Sequence, residues 1–284
     1  MPDLALSRRE LLAGVTAALR AGSVPEPRRE ALRLWTEVLG GHSAEALLGR
    51  PEPIEPALAD ALLGAAERRA RGEPLAHVTG VAGFRQLALH SDRRALIPRP
   101  ETEGLVDLLL ARVRTGSLAD VGTGTGALAL SLQAEGGFSA VVAVDLSAPA
   151  LDLAAKNRAG TGGHVELVRG DLCAPLRPAA FDALVSNPPY VSHAEYSCLD
   201  PSVRDWEPAR ALVGGVEGLE LTARLLDDAR TVLRAGGWLA VEVDCARARE
   251  CARRAGALGW SDIAVHADLF GRDRYLLARR SATT

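Results

Sequence analysis

The sequence predicts an α/β fold in which a small helical domain and a β-hairpin precede a doubly wound, mostly parallel sheet of seven strands. After Pro100, apolar runs of strand length alternate with runs of helix length, a pattern typical of parallel sheets covered by helices on both faces. A glycine-rich turn directly follows the first of these strands. Before residue 76, by contrast, the chain shows only short helix-like segments that glycine and proline interrupt.

Composition and charge limit the class of protein. Of 284 residues, 48% are hydrophobic and 24% are charged, and the chain has 33 basic and 36 acidic side chains. This is ordinary globular composition, and without a basic excess we expect no direct nucleic-acid binding. No apolar run approaches the roughly 20 residues of a membrane span. The four cysteines form no CxxC or metal-ligand pattern, so we expect a cytoplasmic protein with no metal site and no membrane association.

Residues 1–75 are predicted to form a helical domain. Ser7 and Glu10 have the spacing of a capping box, and apolar residues follow at helical spacing. Residues 76–98 then alternate apolar and polar side chains around Gly83, which predicts a β-hairpin linker. The predicted helices cover residues 7–21, 26–39, 43–48 and 55–71.

Residues 99–284 supply the sheet. Because seven strand-like runs exceed the six of a simple doubly wound sheet, we expect an additional, antiparallel last strand. The predicted strands are Leu118–Val121, Ala140–Asp145, Val165–Val168, Phe181–Ser186, Trp238–Val243, Ile263–His266 and Tyr275–Ala278. The predicted helices are Glu103–Val113, Ala127–Ala134, Ala148–Arg158, Glu217–Leu233 and Ala246–Leu258.

The glycine-rich turn, Asp120 to Gly126, opens a helix and predicts a nucleotide-like ligand. Glycine allows positive φ and close approach of a ligand to the backbone, and a helix N-terminus offers free N–H groups. Asp145 ends the second strand, where it can accept hydrogen bonds from two ribose hydroxyls, and Asp171 with Leu172 can hold an adenine. By itself the turn could bind a nucleoside–methionine cofactor or a dinucleotide such as NAD, or it could be a tight turn with a structural role only.

A rigid corner, Asn187-Pro188-Pro189-Tyr190, leaves the fourth strand of the sheet. The two prolines fix φ and remove two N–H donors, so the corner presents mainly acceptors, the Asn187 side-chain oxygen and the Pro188 carbonyl. Two acceptors beside the Tyr190 ring suit a planar –NH₂ group. Both of its N–H bonds would be held, and the tyrosine ring would stack on its plane.

This arrangement suits methyl transfer to a planar nitrogen. The lone pair of such a nitrogen is delocalised, and attack on a methyl group makes the nitrogen tetrahedral and partly positive. Acceptors placed where that charge develops stabilise the transition state more than the ground state. A proton can leave after transfer, so no general base is required, and none of the six histidines lies in a base or metal motif.

With these motifs in order, the chain resembles the protein-(glutamine-N5) methyltransferases that modify peptide chain release factors. Leu96 to Glu103 is similar to the segment that precedes the family's catalytic domain. Asp244 departs from the family, which usually has glycine there. The other matching segments are Asp120 to Gly126, Val144 to Ser147, Gly170 to Leu172, Val185 to Tyr190, Glu207-Pro208 with Ala211-Leu212, and Asp268-Leu269 with Gly271 to Arg274.

The resemblance implies a class I methyltransferase domain over residues 99–284 that uses S-adenosyl-L-methionine. Residues 1–75 and the hairpin would grip the substrate, a class I release factor, which is methylated on the glutamine of a Gly-Gly-Gln motif. Asn187, Pro188 and Tyr190 would be catalytic and, with Pro189, would hold the glutamine amide. The expected cofactor contacts are Gly122, Thr123, Gly124, Thr125, Gly126, Asp145, Asp171, Leu172 and Asn187.

Three alternatives share part of this pattern. An adenine-N6 methyltransferase of DNA or RNA also acts on a planar amine, but it needs base-reading and base-flipping elements that the sequence does not show. An NAD-dependent oxidoreductase could use the glycine turn but leaves the Asn187 to Tyr190 corner unexplained. The third alternative is a non-enzymatic cofactor-binding protein whose helical domain is the working part.

Overall fold

A computed structural model describes residues 7–40 and 54–282 of the chain. The chain divides into two compact units: Met1–Gly80 with Asp200–Trp206, and Val81–Leu199 with Glu207–Thr284. The helix predicted at residues 43–48 lies outside the described residues.

The smaller unit is helical. Its helices are α1 (Arg8–Ala21), α2 (Pro27–Leu39), α3 (Pro56–Ala70) and α4 (Leu75–Thr79), and Pro201–Arg204 adds a helical turn. The predicted capping box is confirmed, with the Ser7 hydroxyl oxygen 3.3 Å from the Glu10 amide. Apolar residues at helical spacing form the core, and the Arg69–Glu30 ion pair, at 2.7 Å, links α3 to α2. The core side chains with no exposed surface include Leu11, Val15, Leu19, Leu34 and Leu62.

The hairpin consists of antiparallel strands β1 (Val81–Phe84) and β2 (Leu87–His90). Phe84 and Leu89 are buried in the core of the larger unit. Asn157 holds the end of β2, because its side chain accepts from the His90 amide at 2.6 Å and donates to the His90 carbonyl at 3.1 Å. Of the predicted linker, residues 81–98 therefore belong to the larger unit, whereas residues 76–80 belong to the smaller unit, where 76–79 continue helix α4 and are not part of the hairpin.

A seven-stranded sheet forms the centre of the larger unit, as predicted. Its spatial order is β10-β11-β9-β6-β3-β4-β5. Strand β11 runs antiparallel to both of its neighbours and the other adjacent pairs are parallel, which confirms the predicted antiparallel last strand. Strands β3, β4, β9, β10 and β11 begin two to five residues before their predicted starts, because glycine, small polar or charged residues near those starts interrupt the apolar pattern. The strands are β3 (Thr115–Val121), β4 (Gly137–Asp145), β5 (Val165–Arg169), β6 (Phe181–Ser186), β9 (Leu233–Glu242), β10 (Trp260–Ala267) and β11 (Asp273–Arg280).

Helices cover both faces of the sheet. Successive residues of the buried strand β3 point to opposite faces, so that Leu118 belongs to one core cluster and Ala119 to the other. This is why the central strands read as continuous apolar runs rather than as alternating patterns. The main helices are α5 (Glu103–Leu110), α6 (Ala127–Glu135), α7 (Ala148–Thr161), α9 (Glu220–Val232) and α10 (Ala248–Ala257).

Short elements near the sheet's carboxyl edge were not predicted. Strands β7 (Val191–Ser192) and β8 (Val213–Gly215) pair in parallel, and helix α8 (His193–Tyr196) follows β7. Runs of two to four residues are too short to show a hydrophobic period. Among the described residues, no helix has the length and apolar character needed to cross a membrane. Within the same ranges, no cluster of three or more His, Cys, Asp or Glu side chains is arranged to hold a metal ion.

Candidate active site

A cavity in the larger unit opens at the carboxyl ends of β3, β4 and β6. The chain continues from β3 to β4 and β5 on one side of β3 and then crosses to β6 on the other side, so the strand order reverses at β3. Such switch points form ligand crevices in doubly wound sheets. The cavity therefore brings together most of the residues that the sequence singled out. The predicted site residues that line it are Gly122, Thr123, Gly124, Thr125, Asp145, Asp171, Leu172, Asn187 and Pro189.

The glycine turn takes the backbone conformation that its sequence requires. Gly122, Gly124 and Gly126 have φ values of 76°, 56° and 85°, in the left-handed region that favours glycine. The amides of Gly122 and Thr123 donate to the Val144 carbonyl at 2.8 and 3.0 Å, which folds the turn against β4. Gly126 caps the N-terminus of α6 and, unlike Gly122 and Gly124, is not among the described residues that line the cavity.

Asp145 supports the turn and also faces the cavity. Its carboxylate accepts from the Gly124 amide at 2.9 Å and from the Ser147 amide at 2.8 Å. Burial raises the pKa of this carboxyl, and the two amide hydrogen bonds and the charge of Arg210 oppose that rise. Since a carboxylate has about four acceptor sites, it can hold the turn and still accept from two hydroxyl groups of a ligand.

Asp120 stands behind the turn and is completely buried. It accepts from the Thr123 hydroxyl at 2.6 Å and from the Ala129 amide at 3.1 Å, so it joins the turn to the first turn of α6. Burial raises the pKa of its carboxyl to about 7. The free energy of unfolding should therefore depend on pH through this residue.

We expect the Asp120→Asn variant to remove that dependence. The unfolded carboxyl loses its proton near pH 4, whereas the folded one keeps it to about pH 7, so the folded state binds more protons in between and stability falls as pH rises. Relative to the variant, the wild-type free energy of unfolding should drop by about 1.4 kcal/mol per pH unit between about pH 5 and 7. Urea denaturation at several pH values measures this. Parallel stability curves would show that the folded pKa is not raised, and Asp227→Asn, at an exposed aspartate, is the matched control.

Asp171 and Leu172 lie on the cavity wall after β5, where the sequence placed them. The Asp171 carboxylate accepts from the Arg224 guanidinium of α9 at 2.7 Å and is half exposed. Leu172 adopts a positive φ of 48°, which is uncommon for a non-glycine residue and turns this loop sharply at the cavity. No sequence pattern indicates that Arg224, which lies 53 residues away, is the partner of Asp171.

The proline corner is fixed to the sheet and meets the cavity through Asn187 and Pro189. The Ser186 hydroxyl donates to the Val121 carbonyl at 2.6 Å, which joins the end of β6 to the end of β3. The Asn187 side-chain NH₂ donates to the Thr102 hydroxyl at 3.0 Å. Pro188 is buried and, like Tyr190, is not among the described cavity-lining residues.

Tyr190 is held beneath the corner by polar groups. Its hydroxyl donates to Glu242 at 3.1 Å, and the Arg274 guanidinium lies over its ring at 6.0 Å from the centroid. Burial, reinforced by the charge of Glu242, raises the pKa of the phenol above its usual range. Tyr190 is therefore a neutral donor, and the stacking role that the sequence suggested for it stays a prediction.

Sequence reasoning missed two polar residues at the corner, Thr102 and Glu242. The Thr102 hydroxyl donates to the Glu242 carboxylate at 2.7 Å, and both side chains are buried. A signal for Glu242 was present, because it is a charged residue at the carboxyl end of a buried strand. Since Ser186 of β6 pairs with Val241 of β9, Glu242 had to lie beside Asn187.

Glu207, for which the sequence indicates only a match to the family, supports residues that line the cavity without lining it itself. It accepts from the Ile97 amide at 2.9 Å and also binds the Arg99 guanidinium. These contacts hold Ile97, Pro98 and Arg99, which line the cavity. Asp244, the departure from the family pattern, accepts from Arg247 and from the Ala246 amide, each at 3.0 Å, and so caps the turn after β9.

Comparison with known proteins identifies relatives of this chain. The family model for the methyltransferase small domain matches residues 100–199, and that for the PrmC N-terminal domain matches residues 10–80. A release factor glutamine methyltransferase of Deinococcus radiodurans is 42% identical over 96% of this chain and 98% of its own length. Proteins of the same name from Nitratidesulfovibrio vulgaris and Moorella thermoacetica are 37% and 39% identical, over 95% and 97% of this chain and 94% and 99% of theirs.

The chain belongs to the release factor glutamine methyltransferase family. It is a methyltransferase with S-adenosyl-L-methionine as its methyl donor, as the sequence predicted. A crystal structure of a methyltransferase from Pyrococcus furiosus shares the fold, with a TM-score of 0.52 and 19% identity over 89% of this chain and 98% of that one.

The residues of the cavity fit this methyl donor. A Cβ atom built on Gly122 would meet no protein atom within 4 Å, so the turn leaves open space where a ligand can approach the backbone. The neighbouring Asp145 carboxylate offers acceptors for ribose hydroxyls. When bound, S-adenosylmethionine supplies an electrophilic methyl group on a sulfonium, which a nitrogen nucleophile can attack.

Proposed function

We propose that this protein methylates the side-chain amide nitrogen of the glutamine in the Gly-Gly-Gln motif of class I peptide chain release factors, in the cytoplasm. The observation that carries this proposal is that Asn187 of the proline corner lines the same cavity as Gly124 of the glycine turn and Asp145 at the end of β4. An acceptor for a planar amide thus lies beside the cradle for the methyl donor. The names of the relatives, which cover almost the whole chain, give the substrate class.

The larger unit holds the methyl donor with its own backbone and carboxylates in this proposal. The turn from Gly122 to Gly126 leaves room for the methionine part, Asp145 accepts from the ribose hydroxyls, and Asp171 with Leu172 borders the adenine. Because Arg224 occupies one oxygen of Asp171, the other oxygen remains to accept from an exocyclic amine. These residues would therefore hold the donor at both of its ends, in the cavity that the corner also borders.

The corner holds the substrate amide. The Asn187 side-chain oxygen and the Pro188 carbonyl accept its two N–H bonds, and the buried proline and the Ser186 hydrogen bond keep these acceptors in place. As the nitrogen attacks the methyl carbon, the bond from carbon to sulfur breaks and the nitrogen becomes partly positive. Both acceptors bind the N–H bonds more strongly at that point, and one proton then leaves to solvent.

The smaller unit docks the folded release factor in this proposal. The PrmC N-terminal domain model matches residues 10–80, which cover nearly all of that unit's helices. Docking through a separate unit would let a small active site act on one glutamine of a large protein. An intact release factor should then have a higher kcat/KM than a peptide that contains only its Gly-Gly-Gln loop.

Mass mapping tests the proposed function directly. We expect that incubation with S-adenosylmethionine and a class I release factor adds one methyl group to the glutamine of its Gly-Gly-Gln motif. The same release factor with that glutamine replaced by alanine is the control and should remain unmethylated. Methylation of adenine in DNA or RNA offered in parallel, or of another release factor residue, would contradict the proposal.

A further inference from the structure

We propose that Thr102 and Glu242 are positioning residues that hold the Asn187 amide with its oxygen toward the cavity. The inference rests on the proposed function, because the substrate amide is the group from which that oxygen would accept. It assigns a role to two buried polar residues that lie far apart in the sequence.

The three side chains form one hydrogen-bonded chain. The Asn187 Nδ2 atom lies 3.0 Å from Thr102 Oγ1, and Thr102 Oγ1 lies 2.7 Å from Glu242 Oε2. The other carboxylate oxygen, Glu242 Oε1, accepts from the Tyr190 hydroxyl at 3.1 Å. Thr102, which also lines the cavity, is 5% exposed and Glu242 is 1% exposed, so these contacts are largely shielded from bulk water.

Counting protons fixes the direction of each hydrogen bond. An ionised carboxylate has no proton to give, so the single hydroxyl proton of Thr102 is used on Glu242. The Thr102 oxygen can then only accept from its other neighbour. An asparagine amide can meet such an oxygen only through its NH₂ group, and its oxygen must therefore point the other way, toward the cavity that Asn187 lines.

The opposite orientation of the amide would defeat the proposed reaction. It would place the Asn187 NH₂ group against the NH₂ group of the substrate, so that two donors face each other. It would also remove an acceptor from the place where positive charge develops on the attacking nitrogen. Because the two ends of an asparagine amide have nearly the same shape, packing alone cannot choose between the orientations, whereas Thr102 can.

The backbone elements that carry Thr102 and Glu242 set the positions of these hydrogen-bonded side chains. Thr102 ends the short 3-10 turn Pro100–Thr102 that leads into α5. Glu242 ends β9, and the β6–β9 register sets it beside the corner. Burial raises the pKa of the Glu242 carboxyl, and the hydrogen bonds from Thr102 and Tyr190 together with the charge of Arg274 oppose that rise and favour the ionised form. The Glu242 carboxylate thus acts as an acceptor only, and this sets the donor and the acceptor in the Thr102–Glu242 and Asn187–Thr102 hydrogen bonds.

The test compares Thr102→Val, which removes the hydroxyl and keeps the shape, with Thr102→Ser, which keeps the hydroxyl. Release factor methylation gives kcat, and calorimetry gives the S-adenosylmethionine Kd. We expect Thr102→Val to lower kcat about tenfold, the effect of one lost hydrogen bond, with Kd changed less than about twofold. Thr102→Ser should restore most of the wild-type kcat. Thr231→Val, which removes the hydroxyl of an exposed threonine on α9, is the matched control.

A double-mutant cycle separates positioning from a merely structural role. If Thr102 acts through Asn187, then adding Thr102→Val to Asn187→Ala should lower kcat no further. A wild-type kcat in Thr102→Val, an equal loss in Thr102→Ser, or additive losses in the double variant would overturn the inference. Should Thr102→Val fail to fold, Thr102→Ala, which also removes the hydroxyl, and its double variant with Asn187→Ala give the same comparison. A wild-type enzyme that leaves release factor unmethylated would instead contradict the proposed function.

Discussion

The Asn187→Ala variant should lose methyl transfer by a factor of about 10²–10³ in kcat, while the Kd for S-adenosylmethionine changes much less. The Asn187 oxygen accepts from an N–H bond whose nitrogen becomes positive only as the methyl group is transferred, so its loss weakens the transition state more than the bound substrate. In free-energy terms this is about 2–4 kcal/mol, the range found when one preorganised group is removed from such a site.

Single-turnover methylation of release factor is the measurement for Asn187→Ala, because it reports the chemical step and not product release. Thermal unfolding of the variant is the control for folding, and calorimetry with S-adenosylmethionine checks that the cavity still binds the donor. Turnover near the wild-type rate would show that the corner does not hold the substrate amide. A large loss of donor affinity with unchanged kcat would make Asn187 a cofactor residue only.

The parts of the site that are local in sequence could be predicted from sequence. The glycine turn lies within Asp120 to Gly126, and its φ values are those that glycine at these positions allows. Two prolines make the corner after Asn187 rigid, and both are visible in the sequence. Their meeting in one cavity also follows from sequence, because the carboxyl ends of parallel strands share one edge of a sheet.

The parts that depend on distant residues could not be predicted in this way. Thr102 and Asn187 are 85 residues apart, and Thr102 and Glu242 are 140 apart. The Arg224 partner of Asp171 lies on a helix whose apolar pattern sets its buried face but not its position relative to the loop after β5. Such pairs require the strand register and the helix positions, which hydrophobic periodicity does not specify. Placing Glu242 beside the corner needed only the β6–β9 pairing.

The Asp145→Ala variant should weaken binding of S-adenosylmethionine by about 1–3 kcal/mol, which is about a 5- to 150-fold rise in Kd. Two contacts are lost together: the charged acceptor for the ribose hydroxyls, and the hydrogen bond at 2.9 Å that holds the Gly124 amide. Calorimetry measures the change. Asp227→Ala, at an exposed aspartate on α9, should leave the Kd unchanged.

The pH dependence of S-adenosylmethionine binding separates the contribution of the Asp145 charge from that of the side chain's shape. Burial raises the pKa of this group, and its protonated form has one acceptor fewer for the ribose. The wild-type affinity for S-adenosylmethionine should therefore fall as pH decreases through that raised pKa, whereas the affinity of Asp145→Asn should be weaker than wild type above that pKa and nearly flat over the same range. If the wild-type and Asp145→Asn affinities were equal and had the same pH profile, the charge of Asp145 would have no part in binding. The ribose would then have to be held by other groups of the cavity, and the cofactor cradle derived from the end of β4 would be wrong.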